Sequence, residues 1–355
     1  MILWCVARGS GWAAPALVAW IVGCGAGDRP AWNDVPADGG ADVASEVAEA
    51  PLALVAVTFN TGTSGEVIAG RAIPEGGYGP AQAAISDAWY GNGLAWPPLV
   101  DDTAAFLAEV DPDLVVFQEI FWSGACPEIP DDNRTGFVCE GWSPGDPTVA
   151  QTLVGAGFQV ACHVGKPDKC AAVNRRLGVF RGCDADLCLE GLFGTTVSGC
   201  GRGARVARVV IELAAGGALT LVNVHGSSGF DPPDKACRVR QVDQVFVDLG
   251  DGAPAASGHR NLVMGDLNTD PGRLADFDPS AARWLDFVGE DRGFHWVSPI
   301  GSEVPPTYAG VANIDHVVSD TLRGDCWAPT VTAGHGAFTD IAFFDHLPLV
   351  CTLSE

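Results

Sequence analysis

Six short segments, spread from residue 60 to residue 346, each place a polar side chain at the edge of an apolar run. They are VTFNT with Asn60, FQEI with Glu119, VNVHG with His225, GDLNTD with Asp266 and Asn268, NIDHV with Asp315, and FFDHLPL with Asp345 and His346. Runs rich in Val, Leu, Ile or Phe read as buried strands, so these polar residues fall where strands leave the core. Any one segment has an ordinary explanation. Asp-Leu-Asn after a strand is usually a turn, because Asp and Asn bond their own backbone, and a lone His beside apolar residues is usually structural. Six in order are a stronger constraint, because the two halves of the chain must then meet in one place. A length of 355 residues suggests two domains at about 150 residues each, but the spread of the segments favours one. A hydrophobic content of 47% is ample for a large core.

Strand-like runs lead into most of these residues. LALVAVTF runs into Asn60, DLVVF into Gln118 and Glu119, ALTLVNV into His225, RNLVMG into Asp266 and IDHVV through Asp315, while LPLVCTL closes the chain. GFQVACHV, AVNRRLGVF and RVARVVIEL read as further short strands. Helical spacing is found around Leu99 to Val110 and from Lys235 to Leu249. The Gly-rich segment from Gly62 to Pro98 carries Tyr78, Trp89, Tyr90 and Trp96. It reads either as a loop reaching over the site or as a packed surface loop whose aromatics fill gaps.

The ends and the cysteines point to export. Residues 1–24 hold one basic residue, Arg8, then an apolar stretch too short to span a bilayer comfortably, which reads as a signal peptide. Its end, Ile21-Val22-Gly23-Cys24, resembles a bacterial lipobox, in which the Cys is acylated and anchors the protein to a membrane; simple secretion is the alternative. Residues 25–51 are rich in Ala, Gly, Pro and acid and read as a disordered acidic tether. The folded domain is expected over 52–355. Setting aside Cys5 and Cys24 leaves ten cysteines, an even number that suggests disulfides in an exported chain. Sequence neighbours suggest Cys126 with Cys139, Cys162 with Cys170 and Cys183 with Cys188, leaving Cys200 with Cys237 and Cys326 with Cys351. A zinc site would call for paired Cys-x-x-Cys spacing, which is missing.

Lys plus Arg number 20 against 44 Asp plus Glu, a net charge of -24. Such a surface offers no long-range attraction for a polyanion and repels duplex DNA unless a local basic patch or bound cations intervene.

Set side by side, the six segments resemble the endonuclease/exonuclease/phosphatase superfamily, which includes deoxyribonuclease I, abasic-site endonucleases, neutral sphingomyelinases and inositol-polyphosphate phosphatases. The resemblance runs from about Leu52 to the C-terminus, and GDLNTD and DHLPL are its most specific parts. The position before Asp345, often Ser in the family, is Phe344 here. The resemblance implies an α/β fold, a four-layer sandwich of two mixed β-sheets packed face to face with flanking helices (deoxyribonuclease I-like). It also implies a monomeric, metal-dependent phosphoric ester hydrolase of the phosphodiesterase type, acting on nucleic acid or a phospholipid headgroup.

Such chemistry needs an activated water, charge compensation on the non-bridging oxygens and a stabilised leaving oxygen. By resemblance, Glu119 is the leading metal ligand with Asn60 and Asp345 beside it. Hard oxygens of this kind suit Mg²⁺, with Mn²⁺ or Ca²⁺ as alternatives. His346 is implied as general base or charge partner, oriented by Asp315. Asp266 would orient or deprotonate water, and Asn268 would donate to the phosphate. His225 resembles the second histidine of the deoxyribonuclease I and sphingomyelinase branches, where it serves as acid or phosphate donor; abasic-site enzymes generally lack it. Arg175 and Arg176 are candidates for a phosphate contact, since Arg can bind two oxygens at once; they read equally as exposed charges on a strand edge. His316, next to Asp315, is expected on the opposite face of its strand and structural.

Two readings from other classes remain. A non-catalytic surface binding protein that kept the fold predicts gaps among the site residues, and the sequence has none. A calcium-binding structural protein would need Asp-x-Asp-x-Asp-Gly loops, and none is present.

Overall fold

The computed structural model describes residues 51–63, 78–336 and 344–355. The expected signal peptide 1–24 with its lipobox-like end, and all but the last residue of the tether 25–51, lie outside the described residues.

Two mixed sheets make up the centre. The first has seven strands: β1 (Ala53–Asn60), β2 (Leu114–Gln118), β3 (Phe158–His163), β4 (Lys166–Asn174), β6 (Leu187–Cys188), β12 (Arg323–Trp327) and β13 (Leu349–Ser354), in the order β12-β13-β1-β2-β4-β3-β6. The second has six: β5 (Gly178–Phe180), β7 (Val206–Leu213), β8 (Ala218–His225), β9 (Asn261–Asp266), β10 (His295–Trp296) and β11 (Asp315–Ser319), in the order β10-β11-β9-β8-β7-β5. Within them β1 and β2, β3 and β6, and β8 and β9 run parallel.

Side chains alternate along each strand, so every strand contributes to two cores. Leu54 and Ala56 of β1, Leu114 and Val116 of β2, Ile211 of β7, Leu221 of β8, Leu262 and Met264 of β9 and Val317 of β11 meet between the sheets. The alternate residues of the first sheet, among them Val57, Phe59, Val115 and Phe117, pack under helices α2 (Pro97–Val110) and α3 (Val149–Val154). Those of the second sheet, Val222, Val224 and Val263, pack under α4 (Pro232–Phe246) and α6 (Pro279–Phe287). The layers are therefore helix, sheet, sheet, helix, the architecture the resemblance implies. Among the described residues, the short helices α1 (Pro80–Ile85) and α5 (Pro271–Leu274) complete the regular elements outside the 3₁₀ and π turns.

All five expected cysteine pairs are disulfides: Cys126–Cys139, Cys162–Cys170, Cys183–Cys188, Cys200–Cys237 and Cys326–Cys351. Two lie directly across strand pairs, Cys162 opposite Cys170 and Cys326 opposite Cys351.

One strand reading is corrected. AVNRRLGVF is two strands in different sheets: β4 ends at Asn174 and β5 begins at Gly178. The chain crosses between sheets through a turn at Arg175 and Arg176, where Asn174 Oδ1 accepts from the Arg176 amide at 3.1 Å. The described part of the 62–98 segment is packed at some aromatics and open at another, Trp89 being exposed. Tyr78 and Tyr90 are buried in the outer core, and Tyr90 stacks on Phe137 at 4.6 Å. Residues 64–77 lie outside the described residues.

Candidate active site

The pleat that fills the inter-sheet core also builds the site. Inward-facing positions are apolar along most of each strand and turn polar together at one end: Asn60 after Ala56, Gln118 after Val116, Asn223 and His225 after Leu221, Asp266 after Met264, and Asp315 before Val317. Strand register then makes neighbours of them. His225 lies opposite Asp266 across β8 and β9, Asp266 opposite Asp315 across β9 and β11, and Asn60 opposite Gln118 across β1 and β2. Paired positions on one face bring Cβ atoms to about 5 Å.

Beneath them lies a buried polar seam. Gln118 Nε2 donates to Asn223 Oδ1 at 2.9 Å, and Asn223 Nδ2 donates to the carbonyls of Phe117 and Cys170. Lys169 is fully buried and donates to the carbonyls of Arg205 and Asn223; burial holds its amine well below the ordinary lysine range.

Above the seam, His346 Nδ1 and Asp315 Oδ2 are 2.9 Å apart, and His346 Nε2 lies 3.8 Å from Asp266 Oδ2. Burial works to lower the His346 pKa, but the charges of Asp315 and Asp266 outweigh it and hold the imidazole up at about 10. Asp266 is pushed up to about 7 by burial, with His346 opposing and Asp315 adding. Asp266 Oδ2 accepts from Asn60 Nδ2 at 3.0 Å and from Asn268 Nδ2 at 2.7 Å.

Glu119 stands at the open side, its side chain 34% exposed where Asp266 and Asp315 are each 1%. Its backbone is left-handed at φ 57°, as is that of Asn268 at 51°, a conformation that costs a non-glycine residue free energy and is enriched at functional sites. His225 Nε2 lies 3.3 Å from Glu119 Oε1. Burial lowers the His225 imidazole to about 4 against the pull of Glu119, so it is neutral at pH 7. Burial would raise Glu119, but the hydrogen bond and charge of His225 and the His346 and Lys166 cations bring it down. Even beside a neutral His225, the N–H donor and those two cations keep it an anion.

Two of the residues expected to hold a metal, Glu119 and Asn60, border one opening. A Cβ built on Gly62 would fall 2.5 Å from Glu119 Oε2 and 3.2 Å from Asn60 Oδ1, so both oxygens border space that only glycine leaves free. Asp345 Oδ1 is buried without a hydrogen-bond partner, and burial raises the Asp345 pKa, with Glu119 among the charges adding to it. Carboxylate and amide oxygens of this kind suit a hard divalent cation. Asp266, Asp315 and His346 also bring ligand atoms within 4.8 Å of one another. The His346–Asp315 hydrogen bond, and those from Asn60 and Asn268 to Asp266, give that trio the character of an acid–base set.

Two expectations change and one narrows. Arg175 and Arg176 are not at this site: Arg175 pairs with Asp186 at 2.5 Å, and Arg176 with Asp111 at 2.7 Å and Asp113 at 2.6 Å. They follow the far end of β4, seven residues from Asp168, which accepts the amide of Ile120 beside Glu119, or roughly 20 Å at strand rise. Asn268 gives its side-chain N–H groups to Gly226 O at 3.1 Å and Asp266 Oδ2, so it orients Asp266 in this arrangement rather than pointing at open space. For His346, of the two roles expected, the flanking charges of Asp315 and Asp266 favour that of charge partner. His316 is structural as expected, bonded through Ser298 Oγ at 3.1 Å and Asn313 O at 2.9 Å.

Two residues at the site were not read from sequence. Arg205 Nη1 donates to Gly226 O at 3.2 Å, its Nε has no partner, and its charge bears on His225. Its place two residues before Ala207, in the inward-facing register of β7, was the available signal. Tyr308 lays its ring 4.8 Å from that of His346 and pairs with it by a backbone bridge.

No protein-family model matches the chain, and no curated protein matches it in sequence. Solved structures similar to it include an endonuclease/exonuclease/phosphatase family protein from Bacteroides thetaiotaomicron, 13% identical with a TM-score of 0.46 over 86% of this chain and 96% of that one. The human Nocturnin catalytic domain with bound sulfate is 12% identical, TM-score 0.46, over 86% and 95%. A functionally unknown conserved protein from Enterococcus faecalis is 12% identical, TM-score 0.48, over 84% and 98%. The fold and site described above stand on this chain's own geometry.

Proposed function

We propose that this chain is an exported, divalent-metal-dependent phosphohydrolase of the endonuclease/exonuclease/phosphatase type that cleaves phosphodiesters. The observation that carries the reading is the buried His346–Asp315 pair at 2.9 Å with Asp266 3.8 Å away, facing the carboxylate of Glu119. Glu119, Asn60 and Asp345 would hold a cation such as Mg²⁺, Mn²⁺ or Ca²⁺, whose chemistry is to offset charge on the phosphoryl oxygens. Asp266, with its pKa raised to about 7, accepts a proton from the attacking water. Asp315 fixes the His346 imidazolium against the same phosphoryl group, where it stabilises developing negative charge. Neutral His225 gives its one N–H to Glu119 and holds that carboxylate in place, and Arg205, rather than Arg175 or Arg176, supplies a guanidinium toward the phosphate.

Five disulfides support an oxidising compartment, in keeping with secretion or acylation at Cys24. The net charge of -24 favours small or lipid phosphodiesters over long duplex DNA. The test is turnover of plasmid DNA, RNA, sphingomyelin and a bis-aryl phosphodiester by purified protein in Mg²⁺, Mn²⁺ or Ca²⁺. Hydrolysis of the bis-aryl ester and at least one natural substrate is expected. No hydrolysis of any of them in any of the three metals overturns the proposal.

A further inference from the structure

Helix α4 carries a buried guanidinium that the reaction does not use. Arg238 is 1% exposed and its donors reach two separate stretches of chain. Nη1 donates to Ser227 O and Gly229 O, each at 2.7 Å, in the loop that follows His225. Nη2 donates to Asp278 Oδ2 at 2.7 Å, and Nε to Ser280 Oγ at 3.0 Å, at the start of α6. Asp278 Oδ2 also accepts from Thr269 Oγ1 at 3.1 Å, and Thr269 is the residue after Asn268. One turn further along α4, Gln241 accepts the Ser227 amide at 2.9 Å and donates to its hydroxyl at 2.8 Å.

The two loops gripped in this way touch at the site. Asn268 Nδ2 donates to Gly226 O, and the Gly226 amide donates to Asp266 O at 2.8 Å. A Cβ at Gly226 would lie 2.3 Å from Leu267 O, so nothing but hydrogen fits between them. Ser227 and Thr269, the residues gripped, are the next ones along from Gly226 and Asn268. A buried ion pair is a weak source of stability, since apolar replacements often do as well; what this one supplies is fixed geometry. A lysine ammonium cannot reproduce a planar fork reaching four acceptors.

We infer that Arg238 and Asp278 form a positioning bracket that holds the His225 and Asn268 loops in register, so that Asn268 keeps Asp266 aimed at the reacting water. The inference rests on the reaction proposed for this site, and it names residues that touch neither substrate nor metal.

The experiment compares Arg238→Lys, Thr269→Val and Asn268→Ala singly, and the first two each paired with Asn268→Ala, by kcat and KM, and by amide hydrogen exchange of 226–229 and 267–270. Arg238→Lys is expected to lower kcat about 10²-fold, the cost of a misplacement near 1 Å, with KM little changed. In the Asn268→Ala background the same change is expected to cost almost nothing, and both loops should exchange faster together. Thr269→Val removes only the hydroxyl bond to Asp278, so it carries the same test if the lysine variant folds poorly. Losses that multiply with Asn268→Ala, or exchange unchanged in both loops, overturn the inference. Exchange needs no turnover, so the bracket can fail or hold independently of the proposed reaction.

Discussion

His346 and Asp315 act as one unit in this structure, because an imidazolium without its orienting carboxylate loses both charge stabilisation and aim. His346→Ala is expected to lower kcat by about 10³-fold or more, and Asp315→Asn by a large share of that. The double variant should be little worse than the worse single one, as found for residues that work together; independent, multiplicative losses in steady-state kinetics would count against the unit. The arginines separate in the same assay. Arg176→Ala removes an exposed pairing with Asp111 and Asp113 worth about 1 kcal/mol or less, and should leave kcat/KM unchanged. Arg205→Met is expected to lower it by about 10²-fold. Sequence pattern gave Arg175 and Arg176 the weight of a doublet beside a strand, and it could not show that the strand ends there and the chain turns into the other sheet.

At the scale of elements, the strands that carry site residues were the legible part, because apolar runs of alternating face announce themselves and their polar ends are few. Less legible were the pieces that hold those ends in place. Helix α6, PSAARWLDF, was missed, although Asp278 before Pro279 is a start signal; its side chain caps the Ser280 amide at 2.9 Å. The strap from Thr307 to Ala312 has no strand or helix pattern at all. It is built from single bonds between distant residues: Thr307 Oγ1 accepts the amides of Ile314 and Asp315, Thr307 O accepts that of Leu347, and Asp345 O accepts that of Ala309. Tyr308 rides on this strap against His346. Tyr308→Phe keeps the ring and should keep kcat, whereas Tyr308→Ala should lower it about tenfold by freeing the imidazole; equal losses in both variants would place the effect in the hydroxyl.

For the whole molecule, the five disulfides suggest a ranking of stability. In the chain-entropy view a longer closed loop stabilises more, so removing Cys200–Cys237, separation 37, should cost about 4 kcal/mol and removing Cys183–Cys188, separation 5, about 2 kcal/mol. Thermal melts of the two Cys→Ala pairs check the order, and the reverse order would show that local strain or residual unfolded structure dominates. The pairing was readable because neighbours in sequence proved to be neighbours in space, whereas the convergence of both sheets on one polar end is a property of the folded chain. That convergence is what a metal-dependent site requires, and it can be tested at one carboxylate. Turnover of a bis-aryl phosphodiester by the disulfide-bonded protein should vanish in chelator, return with Mg²⁺ or Mn²⁺, and be nearly absent in Glu119→Gln at every metal concentration. Turnover that persists in chelator, with Glu119→Gln as active as the wild type, would contradict the account.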